Sequence, residues 1–143
     1  MASRAFAREY HRAMIDVRDD HNLDMQALAR LRERCAFSVK PPEFLTALIA
    51  GSRWIVHAHD PDADDRLVGF ARAISDGVAT AYLSSVMVDP DYRRRGIGRA
   101  MIQRIMRGRE SVKFVLHARQ EATAFYAAIG FVPAADMMAR ERR

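Results

Sequence analysis

Cysteine is nearly absent from this chain. Cys35 stands alone among 143 residues, so no internal disulfide can form and no thiolate cluster can hold a metal. A reducing, cytoplasmic setting is the plain expectation, with Cys35 as a buried thiol rather than a nucleophile. Lysine is scarce as well: Lys40 and Lys113 stand against 21 arginines. Long apolar runs are missing, so nothing reads as a membrane span. Met1 to Met14 carries arginines without an apolar core, which reads against a secretory signal. The early Glu9, Asp16, Asp19 and Asp20 read against an organelle-targeting segment. Internal repeats and low-complexity tracts are also missing.

What is there suits one compact domain over residues 1–143, with 1–12 as a frayed or disordered arm. Half of the residues are apolar and 29 % are charged. The net charge of +5 points to acidic partners, and seven arginines crowd between Arg93 and Arg109. A phosphorylated cofactor and a nucleic acid would both use such a cluster, and charge alone does not choose between them.

Periodicity supplies the elements. Ala13 to Arg18 reads as a short strand. Leu23, Met25, Leu28 and Leu31 predict a helix over Asp24 to Cys35, and Pro41-Pro42-Glu43 opens a second that ends at Gly51. Trp54 to Ala58, Arg66 to Ser75 and Val78 to Val88 read as strands, the last two joined by the Asp76-Gly77 turn. A helix follows Gly98 and stops at Gly108. Lys113 to His117 reads as a central strand. Ala122, Phe125, Tyr126 and Ile129 mark a last helix closed by Gly130. Phe131 to Pro133 and Asp136 to Arg140 read as terminal strand pieces. Met101, Met106, Met137 and Met138 read as core, and His57 and His59 as strand-edge residues rather than a metal pair. The sum is an α+β fold with a mixed, mostly antiparallel sheet, one parallel crossover and helices on both faces.

The stretch Arg93-Arg94-Arg95-Gly96-Ile97-Gly98-Arg99 follows the strand end Val86-Met87-Val88-Asp89-Pro90 and opens a helix. Free N–H groups, two positions without a Cβ and several guanidinium groups meet there, which is what a pyrophosphate needs. Arg93-x-x-Gly96-x-Gly98, preceded by Val88-x-Pro90, resembles the phosphate-loop signature of the GNAT superfamily of acetyl-CoA-dependent N-acetyltransferases. Ala122-x-x-Phe125-Tyr126-x-x-x-Gly130-Phe131 resembles its second motif, one strand later. The pair in this order is far more specific than either motif alone.

That resemblance implies acetyl-CoA as cosubstrate, no metal, and direct transfer of acetyl to an amine acceptor in a ternary complex. Val86, Met87 and Val88 would hold the pantetheine arm as an added strand. Arg93, Arg94, Arg95, Gly96, Ile97, Gly98 and Arg99 would hold the phosphates. An N–H near Val88 would meet the oxyanion. Tyr126 matches the family's general-acid tyrosine, although periodicity alone reads it as an aromatic packed beside Phe125. The strand position where relatives often carry an acid reads Ser84-Ser85, so His117 is the candidate base; its ordinary reading is a strand-end histidine. Arg119 stands where relatives often carry an asparagine that contacts the cofactor. Asp89 reads as a loop cap and Glu121 as a first-turn carboxylate. An acyl-CoA-binding module without catalysis is an alternative. A nucleic-acid-binding domain is a weaker one, since only Tyr92 accompanies the arginines. A homodimer is compatible with the chain, and the acceptor is unnamed.

Overall fold

The computed structural model describes residues 14–143; the arm expected over residues 1–12 lies outside the described residues, as does Ala13. Five strands form one sheet in the order β1 (Asp16–Arg18), β2 (Trp54–Asp60), β3 (Arg66–Ser75), β4 (Thr80–Val88) and β5 (Lys113–Leu116). The first four are antiparallel, and β4–β5 is the parallel pair. The helices are α1 (Met25–Arg34), α2 (Pro42–Ala50), α3 (Ile97–Met106) and α4 (Thr123–Ala128).

Local chemistry sets the helix ends. The Asp24 carboxylate accepts the Gln26 N–H at 2.8 Å and caps α1. Pro42 and Glu43 occupy the first turn of α2. Alternation along the strands then builds two cores. Val56, Ala58, Val68, Ala71 and Leu83 face α3, whose Ile97, Met101, Ile102 and Ile105 are all buried. Ile55, Leu67, Phe70 and Met87 face α1 and α2 through Leu28, Leu31, Leu45 and Ile49. Helices therefore cover both faces, as expected.

Two features of β4 prepare the site. A bulge shifts its register against β3 between Phe70 and Arg72, with Ser85 in left-handed backbone at φ 54°. Pairing with β5 stops at Leu83–Leu116, while β4 continues to Val88. The Asp89 N–H donates to the Val68 carbonyl at 2.8 Å, so strand alternation turns the backbone groups of Val88 away from β3, toward the gap beside β5.

Several expectations are corrected. β5 is an edge strand, not a central one, and its residues are at most half-buried. Residues 131–140 form no strand. Gly130 and Phe131 instead return N–H groups to Ala127 and Tyr126 to close α4, Pro133 has no donor for a ladder, and Val132 is exposed. Met101 is in the core and Met106 packs against it, but Met137 and Met138 lie in that uncovered tail and are exposed. β2 runs on to Asp60 and is interior, because β1 pairs along its outer side. His57 and His59 are therefore buried rather than at an edge.

Candidate active site

The divergence of β4 and β5 opens a cleft of about 1140 Å3. One wall is the free side of β4 from Ser84 to Val88. The other is formed by His117, Arg119, Glu121, Phe125 and Tyr126. Cys35 and Phe37, from the connection between α1 and α2, approach across the end.

Asp89 fixes the turn from β4 into the phosphate loop. Its carboxylate is fully buried and receives Arg34 through Nε at 2.7 Å and Nη2 at 3.0 Å, Arg66 Nη2 at 2.6 Å, and the Asp91 N–H at 2.9 Å. Burial alone would raise this carboxyl. The Arg34 bonds, the Asp91 N–H and the Arg66 charge outweigh it and hold the group below the usual carboxylate range. The expected cap at Asp89 is therefore real, and it also ties α1 and β3 to the loop.

Beyond Asp89, a short 3-10 turn over Pro90–Tyr92 leads to left-handed backbone at Arg94 (φ 62°) and Gly96 (φ 77°). The first intrahelical bond of α3 runs from the Ala100 N–H to the Gly96 carbonyl. The N–H groups of Ile97, Gly98 and Arg99 precede it and are the free donors of the helix start. The two glycines act differently. Gly96 is required by its φ, with nothing within 4 Å of where a Cβ would stand. A Cβ on Gly98 would lie 3.2 Å from Phe125 Cζ, so that glycine sets how closely α4 approaches α3.

The seven arginines do not share one face. Arg104 pairs with Asp19 at 3.0 Å, and Arg109 stacks 4.1 Å over the Trp54 ring. The Arg95 guanidinium lies 4.9 Å over Tyr92 and donates to the Asp91 carbonyl, so the expectation that its side chain faces the phosphate site is corrected. Arg93, Arg94 and Arg99 do line the cleft. Arg93 Nε also donates to the Val88 carbonyl at 3.1 Å, where Cys35 Sγ stands at 3.4 Å. That carbonyl is already occupied, and Val88 offers its N–H alone. The Met87 and Ile97 side chains are in the two cores, and the Met87 backbone groups turn to β3, where Met87 pairs with Phe70, so of the two only Ile97 offers a backbone donor to the cleft.

Tyr126 is half-buried, 5.1 Å from the Phe125 ring and 5.8 Å from the Phe131 ring, centroid to centroid. Burial pushes its phenol up, so it remains a protonated acid at neutral pH. Tyr126 packs on Phe125, as periodicity predicts, and it also lines the cleft. His117, just past β5, is exposed, with its ring edge-on to Tyr82 at 5.9 Å. Arg119 starts the 3-10 turn that carries Glu121. Cys35 is buried, as expected, and burial raises its thiol.

Some of the site was not anticipated. Tyr82, Cys35 and Phe37 line the cleft, and Arg72 stands behind Ser84 and Ser85, donating to Ser85 Oγ at 3.0 Å. A signal for Arg72 existed: it is a charged residue two positions from Phe70, on the same inward face of β3.

A mixed sheet whose parallel pair splays beside a helix start rich in free N–H groups offers a place for a phosphorylated cofactor. The sequence model of the GNAT acetyltransferase domain matches residues 50–133, more than half of the chain, and the chain belongs to that family. It is 32 % identical over 119 residues to a chloroplastic serotonin N-acetyltransferase 2 of Oryza sativa subsp. japonica, an alignment that covers 80 % of this chain and 59 % of that protein. It is 28 % identical over 121 residues to the histone acetyltransferase TAP1 of Glycine max, covering 77 % of this chain and 52 % of that protein. The chain thus spans little more than half the length of these curated relatives. A probable acetyltransferase of Staphylococcus aureus superposes with a TM-score of 0.78 at 25 % identity, over 91 % of this chain and 99 % of that one. The family uses acetyl-CoA as its acyl donor, and the relatives' names support an acyltransferase enzyme.

Proposed function

We propose that this protein transfers acetyl from acetyl-CoA directly to a primary amine. The observation that carries the reading is the gap in the sheet: it leaves the Val88 N–H free at a point between the arginine-lined start of α3 and the Tyr126 phenol. The donors of Ile97, Gly98 and Arg99, with the side chains of Arg93, Arg94 and Arg99, would receive the pyrophosphate and 3′-phosphate. Arg119 stands on the facing wall for the same purpose. Val86 would hydrogen-bond the pantetheine arm, with the Val88 N–H left for the oxyanion.

In this reading the amine arrives neutral and adds to the thioester carbonyl, and the tetrahedral oxyanion then collapses with breakage of the C–S bond. His117 takes the proton lost by nitrogen, and Tyr126 gives its proton to the departing thiolate. A neutral phenol at working pH suits that step, and burial supports it. The single cysteine supports a reducing, cytoplasmic setting.

Two measurements test the proposal. Acetyl-CoA at about 100 times its Kd should stabilise the fold by roughly 2.7 kcal/mol. A panel of amines should then release free thiol from acetyl-CoA. Stabilisation without release from any amine would instead favour an acyl-CoA-binding module, a reading that the Ser84-Ser85 pair keeps in view because it supplies no carboxylate.

A further inference from the structure

Two arginines on the α1–α2 face of the sheet have no acidic partner among the described residues. Arg32 is 7 % exposed; its Nη2 donates to the Ser38 carbonyl at 3.3 Å, and its buried Nε has no partner among the described residues. Arg72, partly buried on β3, meets three neutral hydroxyls: Ser85 at 3.0 Å, Ser52 at 3.4 Å and Ser84 at 3.5 Å. The last two distances are long for a charged donor. Burial above all, and the nearby Arg32 charge as well, lower the Arg72 guanidinium, and no carboxylate among the described residues offsets them. Elsewhere this chain treats such groups differently, since Arg34 and Arg66 share the buried Asp89 carboxylate. Placing two guanidinium groups in a poorly solvated region without a counter-charge is unfavourable unless an anion arrives.

The place where an anion would arrive is open. Ser84 and Ser85, which Arg72 holds, line the cleft, and so does Phe37, whose ring lies 5.2 Å from the Arg32 guanidinium carbon. We propose that the acceptor is an amine that also carries a carboxylate or phosphate, received at the Ser84–Ser85 edge in front of Arg72. This rests on the acetyltransferase reading above. The strand supplies a ruler. From Ser85 to Val88 is three residues, so the anion and the reacting nitrogen are separated by roughly 10 Å at about 3.3 Å per residue. An α-amino acid is too short to span this. An amine at the far end of a chain of several carbons fits.

The test is binding to the protein saturated with CoA, read by calorimetry with matched pairs. 8-Aminooctanoate should bind roughly tenfold or more tightly than 8-aminooctanamide, as expected for a hydrogen-bonded charge. 4-Aminobutanoate should show no preference over its amide. 6-Aminohexyl phosphate, against 6-aminohexanol, tells whether phosphate is the better anion. Arg72→Gln should bring the ratio for the eight-carbon pair close to one, and Arg72→Lys should keep part of it; an undiminished acetyl-CoA thermal shift shows that each variant is folded. Equal binding of acid and amide, no binding of any anionic member, or a preference that survives Arg72→Gln would overturn the inference. A protein that acetylates amide and acid alike keeps the enzyme reading and loses this one. A protein that acetyl-CoA does not stabilise loses both.

Discussion

The two ends of the cleft are built by opposite means. At the donor end, the polar groups that fix the turn from β4 into the loop are answered within the chain. Asp89 binds two arginines and a backbone N–H, Tyr92 donates to Asp60 and lies under Arg95, and Arg93 donates to Val88. What is left over is a set of donors at the start of α3. At the acceptor end, the chain leaves charge uncompensated: Arg32 and Arg72 have hydroxyls, one carbonyl and an aromatic face, but no acid among the described residues. The difference teaches where specificity sits. A preorganised end fixes one ligand common to a family, whereas an end with unmet electrostatics selects among many acceptors.

The strongest way to break that contrast is to unmake the donor end. Asp89→Ala would leave Arg34 and Arg66 facing a hole, although both guanidinium groups keep considerable solvent contact. A loss of about 2–4 kcal/mol in urea unfolding is expected, below the top of the range for a fully buried pair. Acetyl-CoA stabilisation should fall with it. The pH dependence has a fixed sign. Asp89 has a depressed folded value, so its contribution is present above the ordinary Asp range and is lost as pH falls through and below it. Asp89→Asn should flatten that acid limb.

Next in size is Tyr126→Phe, which removes the proton donor and leaves the ring packed on Phe125 and Phe131. A fall of about 10²-fold or more in kcat is expected, with acetyl-CoA stabilisation unchanged. Turnover equal to the wild type across the pH range would remove Tyr126 from the chemistry and leave it a packing residue.

The donor end was legible in the sequence for the same reason that it is rigid. Gly96, Gly98, Phe125 and Tyr126 act through local spacing, and local spacing is what a sequence displays. Elements from α1 through β4 could be placed from periodicity and caps such as Asp24 and Pro42. The rest depends on contacts distant in sequence. That β5 is an edge depends on what residues 131–140 fail to do, and no local pattern reports this. The burial of His57 and His59 depends on β1 pairing outside β2. Arg95 has the same composition and neighbours as Arg93 and Arg94, and only the position of Tyr92 turns it aside. Arg72 was visible as a charge on an inward face, but its meaning required knowing that no acid faces it.

A smaller effect separates the two loop glycines. Gly96→Ala places a Cβ at φ 77° in open space, so the expected cost is the backbone strain alone, about 1 kcal/mol. Gly98→Ala gains helix propensity of a similar size, yet its Cβ would press Phe125 at 3.2 Å. The two should therefore differ in kind. Gly96→Ala lowers the unfolding free energy. Gly98→Ala changes it little, but weakens acetyl-CoA binding by displacing α4, and Phe125→Leu in the same chain should restore that binding. Equal losses of stability from both would show that the loop has one rigid unit rather than two separate constraints.

The smallest effect tests whether the sheet's α1–α2 face tolerates unmet polarity in general or only at the acceptor end. His57, on the strand next to Arg72, is fully buried, but both of its ring nitrogens have partners: Nε2–H donates to Asp20 Oδ1 at 2.9 Å, and Nδ1 accepts from the His59 Nε2–H at 2.7 Å. Burial lowers its imidazole despite Asp20, so the folded chain holds that proton less tightly than the unfolded chain does. The unfolded state then binds more protons as pH drops below about 6.5, and folding stability must fall with it. The loss grows as pH falls from 7.5 to 5.5. Asp20 has a lowered carboxyl and stays ionised across that range, so it does not mask the slope. His57→Gln should remove the slope in urea unfolding measured at the two pH values. Arg72→Gln should leave the slope in place, because the guanidinium does not titrate there. If Arg72→Gln abolished it, the two polar clusters would be one electrostatic unit, and the contrast between a satisfied cluster and one awaiting a ligand would fail.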